Sequence, residues 1–251
     1  MPRTARGKSM SGIYHIMLRG IYKQIIFEDD EDMRKFIEVM SKYKHISNFE
    51  LYGYCLMDNH IHLLIKESAE PISMIIKRLS SSFVYWYNRK YERCGHLFQE
   101  RYKSEAVENE TYFLTVLRYI HQNPIKAGLS QKAEEYKWSS ASDYLRISTM
   151  VNISYALGLF SKDRTRAVLL FEKHMNEPAD DKCMEKGHNL KTDQEVRSIF
   201  AGYGIGDIDE LKKFEASSRN ELIRTIKKTD GITVRQLSRI TGISKSLIDR
   251  A

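Results

Sequence analysis

Residues 49–65 read Phe49-Glu50-Leu51-Tyr52-Gly53-Tyr54-Cys55-Leu56-Met57-Asp58-Asn59-His60-Ile61-His62-Leu63-Leu64-Ile65. The runs 49–57 and 61–65 are apolar and rich in aromatic or branched side chains, and Asp58-Asn59 between them tolerates the positive φ angles of a tight turn. The stretch therefore predicts a β-hairpin. Upstream, Ile13–Arg19 is a short apolar run that ends at Gly20 and reads as a strand. Between strand and hairpin, the acids of 29–32 favour the start of a helix that runs through Met33, Phe36, Ile37, Met40 and Tyr43. Downstream, Pro71 opens a longer helix with Ile72, Ile75, Ile76, Leu79, Phe83 and Trp86 at helical spacing, ending near Cys94-Gly95. Residues 97–107 then read as another extended pair. Residues 110–122 read as a helix that Pro124 should interrupt, with Gly128 as its stop. This order of strands and helices predicts an α+β fold, with a ferredoxin-like antiparallel sheet covered by helices.

The chain has 251 residues, 42% hydrophobic and 29% charged, which describes a globular protein with room for a sizeable core. Three parts are expected: the α+β domain over 1–150, a helical segment and linker over 151–190, and a small all-α domain over 191–251. The linker is read at 176–189, where Pro178, Asp180, Asp181 and Gly187 stand among few apolar residues. The basic start, Met1-Pro2-Arg3-Thr4-Ala5-Arg6, leads into no apolar secretory segment, and no run is long enough to span a membrane. Cys55, Cys94 and Cys183 are odd in number and lack CxxC spacing, which argues against a disulfide framework or a cysteine zinc site. A cytoplasmic protein without a membrane partner is expected.

The net charge of +7 favours polyanionic partners. Residues 77–103 concentrate it: Lys77, Arg78, Arg89, Lys90, Arg93, Arg101 and Lys103 face only Glu92 and Glu100, with Phe83, Tyr85, Trp86 and Tyr102 among the interleaved rings. Single-stranded nucleic acid uses such a mixture, charges for phosphates and rings for unstacked bases. An amphipathic helix with core aromatics and solvated charges gives the same pattern. In 234–251, Leu237, Ile243 and Ile248 read as core, Gly242 as the turn, Ser238 as the small crossing residue and Ser244 as a cap, a helix-turn-helix pattern. Lys245, Ser246 and Arg250 would lie on its recognition helix, suited to duplex DNA.

Alternate side chains of a strand share a face, so His60 and His62 point the same way. Two imidazoles begin a metal site and do not complete one. Tyr119 and Asn123 are spaced i, i+4 on a predicted helix, and an amide oxygen suits Mg²⁺ or Mn²⁺. A phenol beside a metal-held phosphate can attack phosphorus to form a phosphotyrosine.

Together these residues resemble the single-tyrosine HUH transposases, in particular the bacterial REP-associated tyrosine transposases. The resemblance rests on Tyr14-His15-Ile16 with Arg19-Gly20, on Met57-Asp58-Asn59-His60-Ile61-His62-Leu63-Leu64, on Phe98-Gln99-Glu100-Arg101-Tyr102-Lys103-Ser104, and on Tyr119-Ile120-His121-Gln122-Asn123-Pro124-Ile125-Lys126-Ala127-Gly128. They run in family order over about residues 10–145. The resemblance implies His60, His62 and Asn123 as ligands of a divalent metal, Mg²⁺ or Mn²⁺, and Tyr119 as nucleophile. It also implies cleavage and rejoining of single-stranded DNA at hairpins through a 5′-phosphotyrosine, with no nucleotide cofactor. Arg19, Lys77, Arg78, Arg101 and Lys103 are the expected DNA contacts of the first domain, and Lys245 and Arg250 those of the last.

Alternatives stay open at this level. Tyr112 lies two helical turns before Tyr119 and shares its face. His121 sits about 200° around the helix from Tyr119, a poor position for a co-ligand, and His15 and Gln122 are further candidates. Lys126 follows the expected kink and could approach a phosphate. The competing function is a catalytically silent DNA-binding regulator that uses the helix-turn-helix, and the chain could act as a monomer or a homodimer.

Overall fold

The computed structural model of the protein describes residues 7–99, 101–146, 150–181, 183–184, 193–206, 208–227, 229, 232 and 234–250. The chain divides into two compact units, Met1–Met184 and Glu185–Ala251. Each has its own apolar core.

In the first unit, β1 (Ile13–Arg19), α1 (Asp30–Ser47), β2 (Glu50–Met57), β3 (His60–Lys66), α2 (Ile72–Lys90) and β4 (Lys103–Ala106) follow one another. The strands form one antiparallel sheet in the order β2-β3-β1-β4. The expected α+β architecture is present. The β2–β3 hairpin closes on Asp58-Asn59, with Met57 opposite His60. Asp29 caps α1: its carboxylate accepts the amides of Glu31 and Asp32, while Asp32 accepts that of Asp29 in return. Phe27, Phe36 and Phe83 meet with centroids 5.3–5.9 Å apart, which locks α1 and α2 together at their centre.

α3 (Glu110–Lys126) lies on the sheet against β2 and β3. It comes close because position 53 is glycine: a Cβ there would stand 2.8 Å from Leu117 Cδ1. α4 (Ile153–Phe160) and α5 (Arg164–Asn176) complete the unit, burying Ile153, Leu157, Phe171 and Met175 in the same core.

Four sequence expectations need correction. Pro124 sits inside α3 rather than interrupting it, because it removes one donor only in the last turn. The following amides close that turn, Ala127 N–H onto Asn123 O at 3.0 Å and Leu129 N–H onto Pro124 O at 2.9 Å, before Gly128 takes φ +72°. The described residues of 97–107 hold one strand, not a pair. Phe98 makes a single bridge to Gly20, and only Lys103–Ala106 extends the sheet. α2 ends at Lys90, short of Cys94, where Glu92 turns left-handed at φ +50°.

The last correction concerns the boundary between parts. Residues 151–184 belong to the first unit instead of standing apart. Arg118 holds Asp181 through two bonds of 2.7 and 3.0 Å, and Gln122 donates to the carbonyls of Met175 and Glu177. The start of the expected linker is therefore pinned to α3. Positions 182 and 185–189 of that linker lie outside the described residues.

The second unit is helical among its described residues, with α6 (Asp193–Gly202), α7 (Ala216–Lys227), α8 (Val234–Thr241) and α9 (Lys245–Arg250). Val196, Phe200, Leu211, Ile223, Leu237 and Ile248 form its core. Between α8 and α9, Gly242 adopts φ +69° and Ser238 Oγ donates to Ile243 O at 2.7 Å. No helix among the described residues of either unit is long and apolar enough to cross a membrane.

Candidate active site

The register of β1 against β3 pairs Met17 with His62 and Arg19 with His60. Residues opposite one another share a face, so His15, Met17 and Arg19 line up beside His60 and His62. α3 covers that face and presents Tyr119 to it. The ring of Tyr119 meets His62 edge-on at 5.5 Å and His15 at 5.7 Å, while the His60 and His62 rings stand 5.0 Å apart.

Each imidazole of the His60/His62 pair is held through Nδ1. His60 Nδ1 lies 2.6 Å from Asn59 Oδ1, and His62 Nδ1 lies 3.0 Å from His15 Nε2. Asn123 is beside His60 and favours its protonated form, which an acceptor oxygen does. Its amide nitrogen is turned back onto Tyr119 O at 2.7 Å, so the amide oxygen is the atom left for the site.

Burial, with Arg19 as a smaller cause, lowers the basicity of His60. Burial first, then the neighbouring His15, His60 and Arg19, holds His62 well below the usual histidine range. Burial alone takes His15 down to about 3. Neutral imidazoles, plus one amide oxygen, are donors that a divalent cation accepts. Among the described residues, no three His, Cys, Asp or Glu side chains gather to hold a metal by themselves. A cation here would draw on the amide and on oxygens brought by a substrate.

The two tyrosines of α3 have different surroundings. The Tyr112 hydroxyl is engaged with Glu105 and Cys183, and burial followed by those groups pushes its ionisation far up. Tyr119 faces the histidines and carries the Lys126 ammonium 5.4 Å from its ring centre. Lys126 also reaches Asp181 O at 3.5 Å.

His121, the doubtful co-ligand, points elsewhere: it is fully buried, with Nε2 2.9 Å from Ser140 Oγ and Nδ1 3.4 Å from Met175 Sδ. Gln122 is likewise spent on the carbonyls of Met175 and Glu177.

The basic residues divide in the same way. Arg19 is close enough to the histidine pair to act on both, and its buried Nε has no partner among the described residues. Lys77 and Arg101 line a cleft of about 980 Å³ between α2 and residues 96–99 and 101–102, whose other walls include Tyr85, His96 and Phe98. The cleft adjoins Arg19, since Gln99 N–H donates to Arg19 O at 2.8 Å and Ile21 N–H to Leu97 O at 3.0 Å. Arg78 is outside the cleft lining, its guanidinium spread over Glu70 at 2.7 and 3.1 Å. Lys103 is exposed on β4, opposite Met17. Lys245 and Arg250 are exposed on α9 of the second unit, and Glu100 lies outside the described residues.

Reading the chain alone misses Asn59 and leaves His15 only a further candidate. Asn59 stands next to His60 in sequence, yet its use depends on the turn geometry. His15 comes to His62 only through the β1–β3 register, which a single sequence does not display.

Residues 8–123 match the family model described as transposase, IS200 like. A protein of Haemophilus influenzae described as a REP-associated tyrosine transposase is 26% identical over 117 residues, 41% of this chain and 66% of that one. The chain thus spans slightly less than two thirds of the curated relative it matches. A solved REP-associated tyrosine transposase bound to a REP hairpin superposes with a TM-score of 0.53 at 15% identity, covering 76% of this chain and all of that one. That likeness is one of fold.

Proposed function

We propose that this chain is a member of the IS200-like transposase family, whose model its residues 8–123 match, and that it is a metal-dependent transposase and endonuclease of single-stranded DNA. One observation carries the reading: Tyr119 rests edge-on against His62, and Asn123, one turn later, stands beside His60. The βαββαβ order, with strands arranged β2-β3-β1-β4, is read here as a ferredoxin-like core whose α3-covered face carries these groups.

In the proposed reaction the Tyr119 oxygen forms a bond to the scissile phosphorus as its proton passes to solvent. The bond from phosphorus to the 3′ oxygen breaks, and that oxygen takes up a proton to leave as a 3′-hydroxyl. The 5′ phosphate stays on the tyrosine, and attack by a 3′-hydroxyl reverses the step. The ester is conserved throughout, so no nucleotide need be consumed. Lys126 favours the phenolate as the proton departs. His60, His62 and the amide oxygen of Asn123 would hold Mg²⁺ or Mn²⁺, which when bound neutralises charge on the phosphate oxygens.

The strand is proposed to pass from this site along Arg19 into the cleft, with Lys77 and Arg101 on phosphates and the exposed Tyr85 as a stacking surface. Lys103 extends the basic track. Hairpin DNA is the proposed substrate class, in keeping with the hairpin named for the solved relative. The α8–α9 pair is proposed as a helix-turn-helix that contacts duplex DNA through Lys245 and Arg250. A silent regulator is the weaker reading, because it gives no use to a tyrosine, two imidazoles and an amide gathered on one face.

The test uses end-labelled single-stranded hairpin DNA with the full chain. With Mg²⁺ or Mn²⁺, wild type is expected to cleave and to form a denaturant-resistant protein–DNA adduct, and Tyr119→Phe or EDTA to abolish both. Binding of the hairpins without any adduct from wild type would move the assignment to the regulator.

A further inference from the structure

We propose that His15 is a positioning residue that fixes the tautomer of His62, so that His62 offers a bare Nε2 to the divalent cation. The inference rests on the reading of His60 and His62 as ligands.

The argument starts from His60, whose tautomer the structure sets. Asn59 Nδ2 donates to Lys23 O at 3.2 Å, which orients the amide and turns Oδ1 toward His60 Nδ1, 2.6 Å away. An amide oxygen only accepts, so the His60 proton sits on Nδ1 and Nε2 is bare. The ring is thereby ready to ligate without rearrangement.

His62 has no such oxygen on its Nδ1. Its partner there is His15 Nε2 at 3.0 Å, and both side chains are buried. One proton lies between the two nitrogens. If it belongs to His62, then His62 Nε2 is bare and the proton of neutral His15 is on its Nδ1. If it belongs to His15, then His62 carries its proton on Nε2, where it blocks a metal.

Matching the arrangement of His60 requires the first state. In it His15 is the acceptor, the role that a carboxylate or carbonyl usually fills behind a metal-binding histidine. The residual burden falls on His15 Nδ1, which is buried without a hydrogen-bond partner among the described residues. That nitrogen is unpaired in either state, so what selects the first state is the need of a cation for a bare His62 Nε2. The same two rings form the wall against which Tyr119 rests, so a shift of His15 would also release the tyrosine.

The experiment measures Mn²⁺ binding to the full chain without DNA, by the free-Mn²⁺ electron paramagnetic resonance signal, for wild type, His15→Gln and His15→Leu. Thermal melting in EDTA checks the fold. A glutamine can bring its amide oxygen to the place of His15 Nε2, whereas leucine offers no acceptor. Leucine is expected to weaken Mn²⁺ binding about 10- to 100-fold, and glutamine to restore it to within a few-fold of wild type. Nitrogen-15 spectra of wild-type histidines loaded with diamagnetic Mg²⁺ are expected to find His62 protonated on Nδ1.

Unchanged Mn²⁺ affinity in His15→Leu or equal losses in both variants would each overturn the role of His15 while leaving the metal site standing, whereas a proton on His62 Nε2 in the loaded protein would remove His62 as a ligand and this proposal with it. Failure of wild type to bind Mn²⁺ would overturn the metal reading itself, and this proposal with it. Should the leucine variant not fold, the glutamine affinity and the wild-type spectra still decide.

Discussion

The Tyr119 ring meets His62 at 5.5 Å and an interplanar angle of 86°, while Tyr112, two turns earlier on α3, directs its hydroxyl to Glu105 and Cys183. Spacing alone puts both tyrosines on one helical face, with Tyr119 the nucleophile that the resemblance implies and Tyr112 the second candidate, and their surroundings separate them. Tyr112→Phe is expected to keep adduct formation within about threefold of wild type, since a lost hydrogen bond of this kind is worth about 1 kcal/mol of stability. Tyr119→Phe is expected to form none. The measurement is a denaturing gel of labelled hairpin DNA after incubation with each variant. An adduct from Tyr119→Phe that disappears in the double variant would exchange the roles.

Gly53 sets how close α3 comes to the sheet, and so where Tyr119 rests. Adding one methyl puts a carbon 2.8 Å from Leu117 Cδ1 in a packed core, and His121 Nε2 and Ser140 Oγ are the next neighbours at 3.6 and 3.7 Å. Gly53→Ala is expected to destabilise the first unit by about 1–3 kcal/mol through overpacking. Urea denaturation should find a lower midpoint at an unchanged slope. The adduct rate should fall as well, because α3 must move outward as a whole. Full activity alongside lost stability would mean that Leu117 alone yields.

Much of this arrangement is legible in the chain. Strand Ile13–Arg19, the hairpin at Asp58-Asn59, the acidic start of α1 and the shared face of Tyr119 and Asn123 all follow from local periodicity and turn chemistry. The errors came where tertiary contacts decide. Pro124 remains helical because its lost donor falls in a last turn closed by other amides, and 97–107 fails to form a pair because only Phe98 bridges back to Gly20. Residues 151–184 read as a separate helical segment leading into a linker until Gln122 and Arg118 of α3 are seen to hold the carbonyls of Met175 and Glu177 and the carboxylate of Asp181. The His15–His62 contact depends on strand register, a long-range property.

Acid should unfold the first unit early. Burial lowers His121 to about 3, and around it stand Ser140, Met175, Tyr144 and Phe171, all uncharged. The unfolded chain takes up a proton on this side chain near pH 6.5, whereas the folded chain does not until about pH 3. Its contribution is therefore complete above the unfolded value and is lost progressively as pH falls below it. Between pH 7.5 and pH 4.5 this one group should cost roughly 2–3 kcal/mol of stability. His121→Gln is expected to be less stable than wild type at pH 7.5, yet to lose less on acidification. Urea titrations in EDTA at both pH values measure the difference, free of any metal contribution. Parallel losses in the two proteins would remove His121 from the account.

Lys77, Arg101 and Arg78 look alike in sequence and differ in their surroundings. Lys77 and Arg101 line the cleft, whereas Arg78 is bound to Glu70 through both a 2.7 and a 3.1 Å bond. A cation that neutralises a phosphate releases a counterion, so its removal flattens the dependence of affinity on salt, by about 0.7 in the logarithmic slope for single strands. Lys77→Gln and Arg101→Gln should each lower the slope by about that amount. Arg78→Gln should leave it unchanged, since the charge lost there already had an internal partner. Fluorescence anisotropy of a labelled hairpin with a single-stranded flank, at several salt concentrations in EDTA, provides the slopes. An Arg78→Gln slope as shallow as the other two would mean that Glu70 releases the guanidinium to the DNA, and that the binding track continues beyond the cleft along α2.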